Sequence, residues 1–136
     1  MMNVFKGRKV VGGTARGEAL VTKEPICFLG GIDVKTGKVT EVGHPLEGKN
    51  IAGKVLVFPT GKGSTGGSYL IFEASENGVG PCAMINRNVE QVTVIGCIIA
   101  EIPMIDKIEP DPIEFIKDGD LLEVNADEGI ITILAR

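Results

Sequence analysis

The apolar positions of this chain fall in short runs parted by glycine-bearing turns, and their period changes midway. In the first half the runs are brief and read as strands. Val10-Val11 stops at Gly12-Gly13, and Glu18-Ala19-Leu20-Val21-Thr22 alternates before Pro25. Ile26-Cys27-Phe28-Leu29 is a short apolar run closed by Gly30-Gly31, and Lys38-Val39-Thr40-Glu41-Val42 alternates again after Thr36-Gly37. Strands at this spacing point to a barrel-like or sandwich layer. Lys54-Val55-Leu56-Val57-Phe58-Pro59 reads as a buried strand ended by proline.

Beyond that strand the pattern turns to alternating strand and helix. Tyr69 to Gly78 reads as a helix, begun near Ser68 and stopped by its terminal glycine. Cys82-Ala83-Met84-Ile85 and Ile102-Pro103-Met104-Ile105 read as short apolar strand segments. Between them, Val89 to Glu101 is rich in β-branched residues, which favour a strand. Two parallel strands, however, need a crossover of about a dozen residues, most often a helix. The crossover argument predicts a helix there. Asp111-Pro112 resembles a helix cap followed by a first-turn proline, with one turn running through Ile116. Leu121-Leu122-Glu123-Val124 and Ile130 to Leu134, joined at Asp127-Glu128-Gly129, form a hairpin. No repeat, low-complexity tract or linker interrupts residues 1–136, which read as a single domain able to bury one core.

Composition narrows the function. Hydrophobic residues make up 43% and aromatics only 4%, so the core is expected from Val, Ile and Leu. A net charge of −4, with both signs interspersed, leaves no basic footprint for nucleic acid or an anionic membrane. No apolar run reaches membrane-spanning length, and Met1 to Gly7 has no signal-peptide core, so a cytoplasmic location is expected. Cys27, Cys82 and Cys97 are odd in number and scattered, which suits that compartment. Cys82 and Cys97, in apolar surroundings, read as small core hydrophobes, because clustered metal-ligand spacing is missing.

One segment looks shaped for chemistry. Gly61-Lys62-Gly63-Ser64-Thr65-Gly66-Gly67-Ser68 lies between the buried strand and the first helix. Its glycines open backbone angles closed to other residues and let N–H groups approach a ligand. Strand, loop and helix in that order aim free N–H donors at an anion or a developing oxyanion. The loop is not a P-loop, since Gly66 is followed by Gly67 where a nucleotide lysine belongs. Gly61, Gly63 and Gly66 match a dinucleotide fingerprint but lack its acidic residue after a second strand. A structural turn accounts for the glycines as well as an anion loop does. Ser64 is the candidate reactive group: amide donors and the adjacent Lys62 can stabilise its alkoxide. The alternative is a turn or capping serine.

Other candidates carry less. His44, the only histidine, precedes Pro45 and has no visible acid–base partner, so a structural role competes with a catalytic one. Arg87, after Asn86 at a strand's carboxyl end, can fork a carboxylate or phosphate, or sit idle on the surface. Asp33 reads as a turn acid. No Ser–His–Asp set appears at a recognisable spacing, which leaves a free-standing hydrolase without its base.

The landmarks taken in order resemble the small subunit of the aconitase X family. They are Gly12-Gly13-Thr14-Ala15-Arg16-Gly17-Glu18-Ala19-Leu20-Val21, Gly30-Gly31-Ile32-Asp33, His44-Pro45-Leu46-Glu47-Gly48, the Pro59 to Ser68 loop, and Asn77-Gly78-Val79-Gly80-Pro81. The resemblance covers most of the chain and is least distinctive at the C-terminal hairpin. It implies an α/β fold, a swivelling β/β/α domain similar to the mobile domain of aconitase, with a helix across Val89 to Glu101. It implies a large catalytic partner subunit that carries an iron–sulfur cluster on its own cysteines, so that no cofactor is bound by this chain. It implies that Ser64 is the proton acceptor in a dehydration of the phosphorylated hydroxy acid 5-phosphomevalonate to trans-anhydromevalonate 5-phosphate, a step toward isoprenoids. Around it, Lys62, Gly63, Thr65, Gly66 and Arg87 are expected to bind substrate, an assignment that rests on geometry. Within the family a hydroxyproline dehydratase is the alternative, and outside it a non-catalytic swivelling or binding module.

Overall fold

The computed structural model describes residues 3–136; Met1 and Met2, the start of the Met1 to Gly7 segment, lie outside the described residues. Seven strands form a closed barrel: β1 (Asn3–Val11), β2 (Thr14–Val21), β3 (Val55–Phe58), β4 (Ala83–Asn86), β5 (Met104–Glu109), β6 (Leu121–Asn125) and β7 (Ile130–Ala135). Around the barrel they run in the order β1-β5-β4-β3-β2-β6-β7. Neighbours from β2 through β5 are parallel, and the remaining pairs are antiparallel. The parallel stretch is possible because helices make its crossovers: α2 (Gly66–Glu76) links β3 to β4, and α3 (Gln91–Ala100) links β4 to β5. Two four-residue elements complete the fold, a kinked α1 (Phe28–Gly31) and α4 (Pro112–Phe115).

Strand alternation divides the apolar residues into two cores. Val55, Val57, Ala83, Ile85, Ile105, Leu122, Val124 and Ile131, drawn from strands all around the ring, fill the barrel. Ile113 and Ile116 pack into that same core. The opposite faces of the parallel strands, with Leu56, Phe58, Met84 and Met104, pack beneath Ile71 of α2, Cys97 of α3 and the segment holding Ile26, Val39 and Ile51. Buried on both sides, β3 and β4 expose nothing, as expected of parallel strands covered on both faces.

The expected helix within Val89 to Glu101 is α3, Gln91–Ala100, helical despite its β-branched side chains because burying Thr93, Gly96 and Cys97 against the sheet outweighs local preference. Gly96 allows the close approach to α2: a Cβ there would lie 2.6 Å from Ile71 Cδ1 and 3.2 Å from Ser68 Cα. The cap at Asp111, the final hairpin and the buried strand before Pro59 are present as expected. Three expectations need correction. Ile26 to Leu29 is not a strand: Ile26 makes a single isolated bridge, to Gly61, and Phe28–Gly31 form the kinked α1. Lys38 to Val42 is not a strand; it makes only isolated bridges, Lys38 to Asn50 and Ile32 to Val39. A barrel closed by its seven strands leaves this segment no edge to extend. The helix after the glycine loop, α2, begins at Gly66 rather than near Ser68, since a glycine start brings Gly67 against Val92 and Gly66 against Leu29.

Candidate functional site

The glycine loop leaves the barrel at the carboxyl end of β3, where crossovers of a parallel sheet turn back and ligand sites gather. Its base is pinned. Ile26 N–H donates to Thr60 O at 3.3 Å, and Lys62 N–H donates to Ile26 O at 2.9 Å, so the loop adds a short parallel rung to the 26–28 segment. Gly61 is buried against the start of α3, and a Cβ there would overlap Thr93 Oγ1 and lie 2.5 Å from Glu90 Oε1. Gly63 is the loop's only positive-φ glycine, at +109°, and a Cβ on it would come within 2.5 Å of Cys27 Sγ. The other loop glycines are there for closeness rather than for unusual backbone angles.

Ser64 sits at the crest, exposed, with Lys62, Gly63 and Thr65 exposed beside it. Its carbonyl accepts Gly67 N–H at 3.0 Å. The N-cap of α2 is Thr65, in right-handed helical geometry and without a side-chain hydrogen bond; no acidic residue stands in the first turn. The positive end of an eleven-residue helix is therefore left to whatever sits at Ser64. Lys62 Nζ rests 3.3 Å from Glu41 Oε2, so its charge is already partly answered. Nothing local in the sequence flags Glu41, which is 21 residues away.

The remaining candidates take structural roles. His44 is buried: its Nδ1 accepts Leu46 N–H at 3.0 Å, which leaves Nε2–H to donate to Pro25 O, also at 3.0 Å. That ties the 44–46 turn to the segment leading into the loop base. Arg87 N–H donates to Pro59 O, so its backbone borders the loop, but its guanidinium forks onto Asp111, with Nη2 at 2.8 Å from Oδ2. This pair raises the Arg87 pKa and holds the Asp111 carboxyl below its usual range, helped by Ile113 N–H. Arg87 is thus not brought into the loop's donor set. Asn86 is fully buried; its Nδ2 donates to Phe58 O at 3.2 Å, and its Oδ1 finds no protein partner. Asp33 is a turn acid, its carboxylate held below the usual range first by Lys35 N–H at 2.9 Å.

The cysteines stand apart. Cys97 is buried beside Met84 Sδ at 3.5 Å, and burial pushes its thiol up to about 12. Cys82 lies 3.8 Å from Arg16 O, also raised by burial, while Cys27 Sγ contacts Leu29 O at 3.0 Å under the loop. They converge on no common point, and no set of three metal-ligating side chains gathers among the described residues. This chain's own thiols do not fit an iron–sulfur cluster. No helix is long and apolar enough to cross a membrane.

Glu90, Thr93, Glu41 and Cys27 are the site neighbours that sequence reasoning missed. Glu90 is an uncommon N-cap type, and the others carry no local motif.

Comparison with known proteins supplies the context for this geometry. A phosphomevalonate dehydratase small subunit of Methanocella arvoryzae is 53% identical over 129 residues, covering 95% of this chain and 98% of that protein. One from Methanosarcina mazei is 52% identical over 132 residues, covering 97% and 92%. The crystal structure of Thermococcus kodakaraensis aconitase X in its holo form superposes with a TM-score of 0.92 at 45% identity, covering 97% of this chain and 98% of that one. The family description "Aconitase X swivel domain" matches residues 4–133. Ser64's loop, the closed barrel and its two crossover helices are thus the parts of a swivel domain, and the chain belongs to the aconitase X family.

Proposed function

We propose that this chain is the small subunit of a dehydratase acting on 5-phosphomevalonate, and that Ser64 is its proton acceptor. The observation that carries the reading is identity above 50%, over nearly whole lengths, with small subunits of that name. The uncapped start of α2 supports the role of Ser64. Dehydration removes a proton from the carbon beside a carboxylate and a hydroxyl from the next carbon, and the C–H electron pair becomes the new double bond. Ser64 Oγ, entering as alkoxide, takes the proton and becomes a hydroxyl. Amide N–H groups of the first α2 turn stabilise the alkoxide beforehand, and Lys62 lends part of a charge. Gly63, Thr65 and Gly66 keep the backbone close enough to orient the substrate's anionic groups. The hydroxyl departs into the larger partner subunit, to which we also assign the iron–sulfur cluster. The product lies on a route to isoprenoids.

The test is reconstitution of the chain with its large subunit and assay of 5-phosphomevalonate beside hydroxyproline. Turnover of the first alone supports the substrate, and turnover of hydroxyproline alone refutes it. Ser64→Ala is expected to leave folding and assembly intact and to lower turnover at least about a hundredfold, as loss of a proton-transfer group does. Near-normal turnover by that variant would remove Ser64 from the mechanism.

A further inference from the structure

Misplacing a reacting group by about 1 Å costs about a hundredfold in rate, so whatever fixes the loop of Ser64 bears on its chemistry. α2 holds one side of that loop. The other side rests on Ile26, which makes both rungs of the loop base: its N–H donates to Thr60 O, and its carbonyl accepts Lys62 N–H. Ile26 belongs to no strand and has only its isolated bridge to Gly61, so sheet pairing does not fix it.

His44 does. Its Nε2–H donates to Pro25 O at 3.0 Å. Pro25 C=O and Ile26 N–H are the two ends of one planar peptide unit. His44 therefore grips one edge of that plane while Thr60 O grips the other, and the plane cannot turn without breaking the first rung. A second path runs from the same residue: His44 N–H donates to Glu41 O at 3.2 Å, and the Glu41 carboxylate holds Lys62 Nζ. The segment itself is anchored behind, where Thr40 N–H donates to Gly31 O at 2.9 Å and Val39 bridges Ile32. We propose that His44 is a positioning residue for the dehydration, bracing the loop so that Ser64 Oγ meets the substrate's C–H bond. The proposal rests on the reading of Ser64 as proton acceptor. Residue type separates a brace from a filler of space. Leu46 N–H can only donate, so Nδ1 is a bare acceptor and Nε2 carries the hydrogen. One rigid neutral ring thus accepts from its own turn and donates across to a second segment. Asparagine offers the turn its acceptor but stops short of Pro25, whereas glutamine reaches Pro25 with an amide donor and leaves the turn unanswered.

Amide hydrogen exchange of the full chain, with steady-state turnover of 5-phosphomevalonate by the reconstituted complex, tests this. His44→Asn is expected to speed exchange at the Ile26 and Lys62 amides about tenfold, the scale of one lost hydrogen bond, while the barrel strands keep the parental rate. Its kcat and kcat/KM are expected to fall together, about tenfold, because the brace serves proton transfer rather than ground-state binding. His44→Gln is expected to recover both readouts to within about threefold of the parent. Parental exchange at Ile26 and Lys62 in His44→Asn overturns the proposal. Exchange that rises equally through the barrel strands, or an equal loss in His44→Gln, makes the ring a packing residue and also overturns it. A raised KM with unchanged kcat does the same, by moving His44 into substrate binding. The exchange readout is independent of substrate. If Ile26 and Lys62 respond as expected but no complex, parent included, turns over 5-phosphomevalonate, the brace stands and the substrate reading falls.

Discussion

α2 and α3 lie side by side, packed through Gly96, and start at the two sides of one loop, yet their N-termini are finished in opposite ways. Glu90 closes α3 with its own carboxylate, accepting Val92 N–H at 2.8 Å and Thr93 N–H at 2.7 Å, with Thr93 Oγ1 donating as well. α2 has no such cap and no first-turn acid. A helix end that supplies its own anion is structurally complete. One that withholds it keeps an unpaid electrostatic demand for a visiting charge. The start of α3 touches the base of the loop at Gly61 and the start of α2 at Gly67, so the closed terminus serves as a rigid footing for the open one.

Breaking that footing is expected to have the largest effect on stability. Gly61→Ala drives a methyl into Thr93 Oγ1 and Glu90, disturbing both the α3 cap and the loop base. A loss of about 2 kcal/mol is expected, combining overpacking with a damaged cap, and is measurable by denaturant titration. Parental stability would mean that the contact between the two ends is slack.

Glu90→Ala sharpens the contrast further. Removing the cap is expected to cost about 1 kcal/mol while leaving most of the turnover of the reconstituted complex, because Glu90 stabilises fold rather than charge at Ser64. A drop in turnover as deep as that of Ser64→Ala would make the closed end part of the chemistry.

The smallest effect belongs to the third helix start, where Asp111 caps α4 through Ile113 N–H at 3.1 Å and pairs with Arg87. Both partners are about one-third exposed, so Arg87→Ala is expected to cost no more than about 0.5 kcal/mol after solvent screening. The pH dependence follows from the lowered Asp111 value. Its contribution is complete above the ordinary 3.8 and fades as pH falls through the depressed native value. Acid unfolding profiles of the parent and Asp111→Asn should therefore converge only at the acid end; parallel profiles throughout would refute the linkage.

Much of the fold was legible along the chain because its signals are local. The crossover helix at Val89 to Glu101 yields to a topological need that outranks propensity, and Pro112 behind Asp111 marks a helix start by its fixed angle. The glycine loop, too, announced itself by composition. Its inner logic did not: of its four glycines only Gly63 takes a positive φ, and Gly61 serves a contact with residues 29 and 32 positions onward. Lys38 to Val42 shows the opposite failure, a good strand pattern with no sheet edge to join.

Amino-acid order alone determined that most of the strands and the helix after the glycine loop exist, which faces are apolar, and that Ser64 stands among glycines before a helix, since each follows from neighbours within a turn or two. Tertiary structure decided that the barrel closes, that Arg87 answers Asp111, that Lys62 answers Glu41, and that α2 starts uncapped beside a capped α3. Those outcomes depend on groups far apart in the chain competing for the same charge or space, and no local pattern encodes which of them wins.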